Sequence, residues 1–213
     1  LQTQDSNETY KQVLPISPYH LYVLILQLQS FSAPKKMLNN VNTDRALRKL
    51  LPENKIWTVA PFLWVYETPE TERQKIGEQL IAGWCASREL NVTRSPDSEA
   101  DKIIEGHRVE IKFSTLWANG SYKFQQIRDQ NYDFLICLGI SPFNAHAWIL
   151  TKKAILKSII NHPEHSQHRG RQGSDTYWLQ VLPNKRHPLF VSQPGKLSYV
   201  HGVLARSRTK RGR

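Results

Sequence analysis

Apolar positions along the chain change period several times, and each change marks an element. Residues 15–30 hold the apolar run Leu21-Tyr22-Val23-Leu24-Ile25-Leu26 behind Ser17-Pro18, a pattern that predicts a buried helix. Residues 33–51 are more polar and predict a helical or irregular segment. Between 56 and 66 β-branched and aromatic residues dominate, and Pro61 interrupts them, so this segment reads as extended. From Thr68-Pro69-Glu70 onward, Ile76, Leu80, Ile81, Trp84 and Cys85 recur at helical spacing, with proline in the first turn and acidic residues set against the helix dipole. A short strand at 91–94, a hairpin at 100–114, a loop at 117–121 and a helix at 122–128 follow. The uninterrupted run Phe134-Leu135-Ile136-Cys137-Leu138, within 132–140, predicts a strand buried on both faces. A strand at 145–150, a helix at 151–160 and strands at 176–182 and near 189–192 complete the pattern. The fold expected is α/β (mixed α+β), a central mixed sheet flanked by helices behind a mostly helical N-terminal extension.

The hairpin carries the candidate chemistry. With Glu105 and Gly106 as its two loop residues, partner numbers across it have a constant sum, so Ile104 faces His107, Ile103 faces Arg108, Lys102 faces Val109 and Asp101 faces Glu110. Directly opposed Cβ atoms lie roughly 4.5–5.5 Å apart, which suits two carboxylates sharing a divalent cation and is repulsive without one. Strand side chains alternate, so Lys112 joins Glu110 on one face while Val109, Ile111 and Phe113 turn to the core. Hard oxygen ligands favour Mg²⁺. An ammonium beside them orients a water or stabilises a pentacovalent phosphorane, a combination that hydrolyses phosphodiesters. The plainer alternative is a solvated hairpin with the same three side chains on its wet face.

Asp101 followed by Glu110-Ile111-Lys112 on the next strand resembles the PD-(D/E)XK nuclease superfamily, most of all its type II restriction endonucleases, over roughly residues 68–160. The resemblance implies a restriction-endonuclease-like core in which Asp101 and Glu110 bind Mg²⁺ and Lys112 positions or activates the attacking water. It also implies that Glu78, on the helix before the hairpin, completes the metal site, and that cleavage leaves a 5′-phosphate. In such nucleases the helix after the catalytic strand often approaches DNA, which points to Gln126 with Lys123 and Arg128, and to Ser114 just after the lysine. Pro96-Asp97 is the literal Pro-Asp dipeptide and makes Asp97 the rival of Asp101; the register favours Asp101, since it pairs Asp97 with Ser114 and sets Glu99 opposite Lys112. The activity implied is Mg²⁺-dependent, sequence-specific cleavage of double-stranded DNA by a homodimer, one active site per strand. A homing endonuclease, a repair nickase or a junction resolvase shares those catalytic residues, and a noncatalytic DNA-binding protein shares the charge.

That charge is large: 29 Lys and Arg against 18 Asp and Glu leave +11, which points to a polyanionic partner, nucleic acid or an acidic membrane surface. The longest apolar run is far short of the roughly 20 residues that span a bilayer, and no signal-peptide pattern opens the chain. The expectation is a cytoplasmic protein that does not enter a membrane. Cys85 and Cys137 lie in apolar segments and read as buried thiols. Residues 161–175 combine His162, His165 and His168 with Arg169 and Arg171; without a nearby cysteine, zinc is disfavoured and a basic loop on DNA is expected. There the arginines suit phosphate or guanine, and Gln167 and Gln172 suit adenine. Residues 206–213 hold five cations and no acid, a basic tail for the phosphate backbone. The domains expected are an extension at 1–67, a nuclease core at 68–205 and that tail.

Overall fold

The computed structural model describes residues 53–58, 60–168 and 176–211. The helix expected at 15–30, most of the 1–67 extension, and Arg169, Arg171 and Gln172 lie outside the described residues. Two short helices, α1 (Glu53–Thr58) and α2 (Leu63–Glu67), stand where an extended segment was expected over 56–66. Pro61 lies in the turn between them, and Phe62 and Val65 are fully buried, so the aromatic and branched side chains there serve core contact instead of strand pairing. The helix α3 (Glu70–Ala86) begins after Pro69, carries Glu70 and Glu72 in its first turn, and buries Ile76, Leu80, Ile81, Trp84 and Cys85 as its periodicity requires.

After α3 come β1 (Val92–Arg94), β2 (Lys102–Ile104), β3 (His107–Thr115), β4 (Tyr122–Ile127), β5 (Phe134–Ile140), β6 (Ala145–Thr151), α4 (Lys152–Ser158), β7 (Ser166–His168), β8 (Thr176–Val181) and α5 (Leu197–Arg211). One sheet has the order β1-β2-β3-β5-β6, with β3 and β5 parallel and the other neighbours antiparallel; β4, β8 and β7 form a second, antiparallel sheet. Every residue of β5 is buried, as the continuous apolar run predicts for a central strand. This is the mixed α/β architecture expected, with a further departure at 122–128. That segment is the strand β4: Tyr122 and Phe124 alternate inward, and a bulge between Phe124 and Ile127 brings Ile127 back inside. The extra residue gives apolar spacings of two and three, which imitate a helix in sequence. Near 189–192 the expected strand is a 3₁₀ turn at Pro188–Phe190, where proline has no N–H to give a ladder. Residues 206–211, read as tail, continue α5, which packs through buried Val200 and Leu204.

The five-stranded sheet is covered on both faces. On one, α3 and α5 meet Ile104, Val109, Ile111, Ile136 and Leu138; on the other, Leu135, Cys137 and Trp148 meet Tyr122, Phe124 and Leu179 of the second sheet and Ile155 of α4. A glycine permits close approach on each side. A Cβ on Gly77 would stand 2.6 Å from Phe113, and one on Gly139 would stand 2.7 Å from the Tyr122 ring. Cys85 and Cys137 are free, buried thiols. No described helix is long and apolar enough to cross a membrane.

Candidate active site

Glu105 and Gly106 have φ of 51° and 77°, the left-handed pair that lets a two-residue loop follow strand twist. The register is the one the constant sum requires: Ile104↔His107, Ile103↔Arg108 and Lys102↔Val109. The ladder stops there, one pair short of Glu110. The Asp101 N–H donates to the Val109 carbonyl at 3.0 Å, and its carboxylate accepts the Ile111 N–H at 2.7 Å. Asp101 therefore reaches β3 through both its N–H and its carboxylate, and not as a ladder partner of Glu110.

Beyond Lys102, β2 no longer covers that edge of β3, and Gln74 of α3 takes the place of a strand. Its Nε2 donates to the Ile111 carbonyl at 2.6 Å, and its Oε1 accepts the Phe113 N–H at 3.2 Å. The same amide donates to Glu78 Oε1 at 3.3 Å. Gly77 makes this possible, since any side chain there would hold α3 away from Phe113. The peptide groups of β3 beside the carboxylates are thus satisfied by Asp101 and Gln74 together.

Alternation puts Glu110 and Lys112 on the face of β3 opposite Val109 and Ile111. The Lys112 Nζ lies 2.6 Å from Glu110 Oε1, and the two side chains are only 13% and 7% exposed, which sets aside a solvated wet face. Burial raises the Glu110 pKa; Lys112 pulls it down, while the charges of Asp101 and Glu78 push it further up. Burial likewise raises Asp101, against the Ile111 N–H, Lys112 and Lys102. Glu78 is raised by burial and then by Asp101. Three carboxylates therefore oppose one another's ionisation around Lys112. Among the described residues, no three Asp, Glu, His or Cys side chains converge closely enough to form a ready metal-binding group.

The rival acids stand elsewhere. Asp97 is held below the usual carboxylate range, first by its bond with Arg108 and then by the Glu99 N–H that it caps. Glu99 accepts the Asn131 N–H at 3.1 Å and does not pair with Lys112. Asp133 accepts the Arg108 N–H at 2.9 Å, a structural bond between β3 and the start of β5.

A cavity of about 760 Å³ borders this cluster, lined by Gln74, Lys112, Ser114, Trp117, Lys123 and Gln126 among others. Ser114 Oγ accepts the Lys123 N–H at 3.0 Å. Gln126 sits in the β4 bulge at φ 56°, its N–H held by Gln167 Oε1 at 2.8 Å, while Gln167 Nε2 donates to Gln125 Oε1 at 2.7 Å. The amide of Gln167, expected on adenine, is thus spent on shaping the bulge. Arg128 is exposed beyond the end of β4 and does not line the cavity. His162 and His165 bond the carbonyls of Lys157 and Trp178 at 2.8 and 3.1 Å. Gln74 and Trp117 were not identified from sequence. Their signals are faint: Gln74 precedes Glu78 by one helical turn, and Trp117 opens a polar loop.

Comparison with family models and with curated proteins finds no match. Among solved structures, the chain is similar to a bacterial homing endonuclease, I-Ssp6803I, at 12% identity and a TM-score of 0.44, covering 68% of this chain and 99% of that one. A likeness this distant carries no argument about function.

Proposed function

We propose that the protein is a Mg²⁺-dependent endonuclease that hydrolyses phosphodiester bonds of double-stranded DNA. The observation that carries this reading is the buried Glu110–Lys112 pair beside Asp101 and Glu78. Burying an ion pair returns little stability, and adding like charges to it returns less, so such a cluster is better explained by chemistry than by folding. The net charge of +11 supplies affinity for a polyanionic substrate.

The donor set fits a hard cation in kind, with Asp101 and Glu110 as carboxylate ligands and Glu78 alongside. When bound, Mg²⁺ neutralises charge on the phosphate and lowers the pKa of the attacking water. Lys112 borders the cavity, where its ammonium orients that water and neutralises charge developing on the non-bridging oxygens. Water oxygen joins phosphorus, the bond from phosphorus to the 3′ oxygen breaks, and the products are a 5′-phosphate and a 3′-hydroxyl. The Ile111 N–H and Gln74 hold Asp101 and Glu78 in place throughout.

Lys123, Gln126 and Ser114 at the cavity, with Arg128, Arg169, Arg171 and Gln172, are the DNA contacts of this reading. Its finer form is a type II restriction-like enzyme, a homodimer whose two-fold axis matches a palindrome. The test is incubation of purified protein with supercoiled and linear DNAs of varied sequence, in Mg²⁺ or in EDTA, beside Lys112→Ala. Discrete Mg²⁺-dependent fragments that vanish in the variant are expected. Binding without cleavage across the panel would leave a noncatalytic DNA-binding protein.

A further inference from the structure

The cavity beside Lys112 also reaches an indole. Trp117 is 45% exposed, although tryptophan is highly buried on average. Its loop is built: the Trp117 N–H donates to the Ser121 carbonyl at 2.9 Å, and the N–H of Gly120, at φ 76°, donates to the Trp117 carbonyl at 2.8 Å. Lys123 Nζ lies 5.3 Å from the Trp117 ring and 4.6 Å from that of Trp178, so one ammonium serves two indoles. The exposed ring is therefore held in place without being covered.

From this arrangement we propose that the cavity takes one unpaired nucleobase of a DNA strand, stacked on Trp117, with Lys123 on the adjoining phosphate. The proposal rests on the nuclease reading and says what part of the substrate enters beside the scissile phosphate. An exposed aromatic face next to a cation is what sequence-tolerant binding of unstacked bases uses. A cavity of about 760 Å³ falls within the ~300–1,000 Å³ of small-molecule sites. At its rim stand Gln125, whose Oε1 accepts from Gln167 Nε2, and Gln126, whose backbone N–H is held by Gln167 Oε1; the Gln125 Nε2 and the Gln126 side-chain amide offer donors and an acceptor to a base edge. A base inside the duplex stack presents no face to an indole, so the occupant is an extrahelical or single-stranded nucleotide.

The experiment is equilibrium binding in EDTA to two labelled duplexes of one sequence, one fully paired and one with a single unpaired 2-aminopurine nucleotide. Native protein is expected to bind the second about 10-fold more tightly, with quenching of the probe. Trp117→Ala removes both the preference and the quenching, and Trp117→Phe, which still stacks but lacks the readily oxidised indole, keeps most of the preference and loses most of the quenching. Equal affinity of the native protein for the two DNAs, or a preference that survives Trp117→Ala, overturns the proposal. Because no cleavage is needed, the two readings fail separately. A preference without Mg²⁺-dependent cleavage leaves the pocket and removes the nuclease; cleavage without a preference does the reverse; binding to neither DNA removes both.

Discussion

Asp101 does two things with one carboxylate: it ends the β2–β3 ladder on the Ile111 N–H, and it carries charge beside Glu78 and Glu110. Asp101→Asn separates them, since the amide keeps an acceptor oxygen and loses the charge. A carboxyl whose folded pKa is raised binds more protons in the folded than in the unfolded state, so its ionisation weakens folding as pH climbs from the ordinary aspartate range through the raised value. In EDTA at neutral pH, Asp101→Asn is therefore expected to raise Tm by about 2–4 °C, the shift that ~1 kcal/mol gives a chain of this size. The gain shrinks as pH falls into the ordinary carboxylate range, where native Asp101, held up by burial, takes up its proton first, and calorimetry at neutral and acidic pH checks it. The same substitution removes cleavage, so a more stable and inactive protein is the expected pair of outcomes. Mg²⁺ is expected to raise the Tm of native protein, by linkage of about 2.7 kcal/mol at a hundred times Kd, and to leave Asp101→Asn nearly unmoved.

At the scale of elements, the site depends on how closely α3 lies on β3. Gly77→Ala gains helix propensity of up to about 1 kcal/mol, but its methyl meets Phe113 at 2.6 Å. Because the atoms struck include the Phe113 Cβ, the ring cannot simply turn away, and overpacking of about 1–3 kcal/mol is expected to win. Gln74→Leu leaves the Ile111 carbonyl and the Phe113 N–H without their partner and is expected to cost about 2 kcal/mol. Urea denaturation checks both. The hairpin register was legible in sequence because a two-residue loop and strict alternation admit one solution, and α3 was legible from its apolar stripe. The strand β4 was not, because its bulge at Gln126 broke the period of two. Gln74 was not, because an amide can replace a strand only where α3 docks, and that contact belongs to Gly77 and Phe113. Even the register misled by one pair, since Asp101 turned its side chain onto β3 where a ladder pair was expected. The helix α5 was missed although Leu197, Val200, Val203 and Leu204 recur at helical spacing, because Gly202 interrupts them and a run of cations follows.

For the whole molecule, the net charge of +11 makes DNA affinity a matter of counterion release. Between 50 and 200 mM salt the Kd for duplex DNA is expected to rise by about 10³-fold or more, measured by fluorescence anisotropy in EDTA, as for six or more neutralised phosphates. A flat salt profile would place the excess charge away from any nucleic acid. Two copies on one palindromic duplex, seen by sedimentation, would give one carboxylate cluster per strand. Whether the buried Lys112 and its carboxylates cut DNA is read from single-turnover cleavage of an end-labelled duplex in Mg²⁺. The comparison is native protein against Lys112→Ala, at concentrations where both are shown to be fully bound. A rate loss of about 10²–10³-fold or more with near-equal Kd, and 5′-phosphate ends on the native product, is the expected result. Equal rates in the two proteins, or a bound duplex that neither cuts, would contradict it.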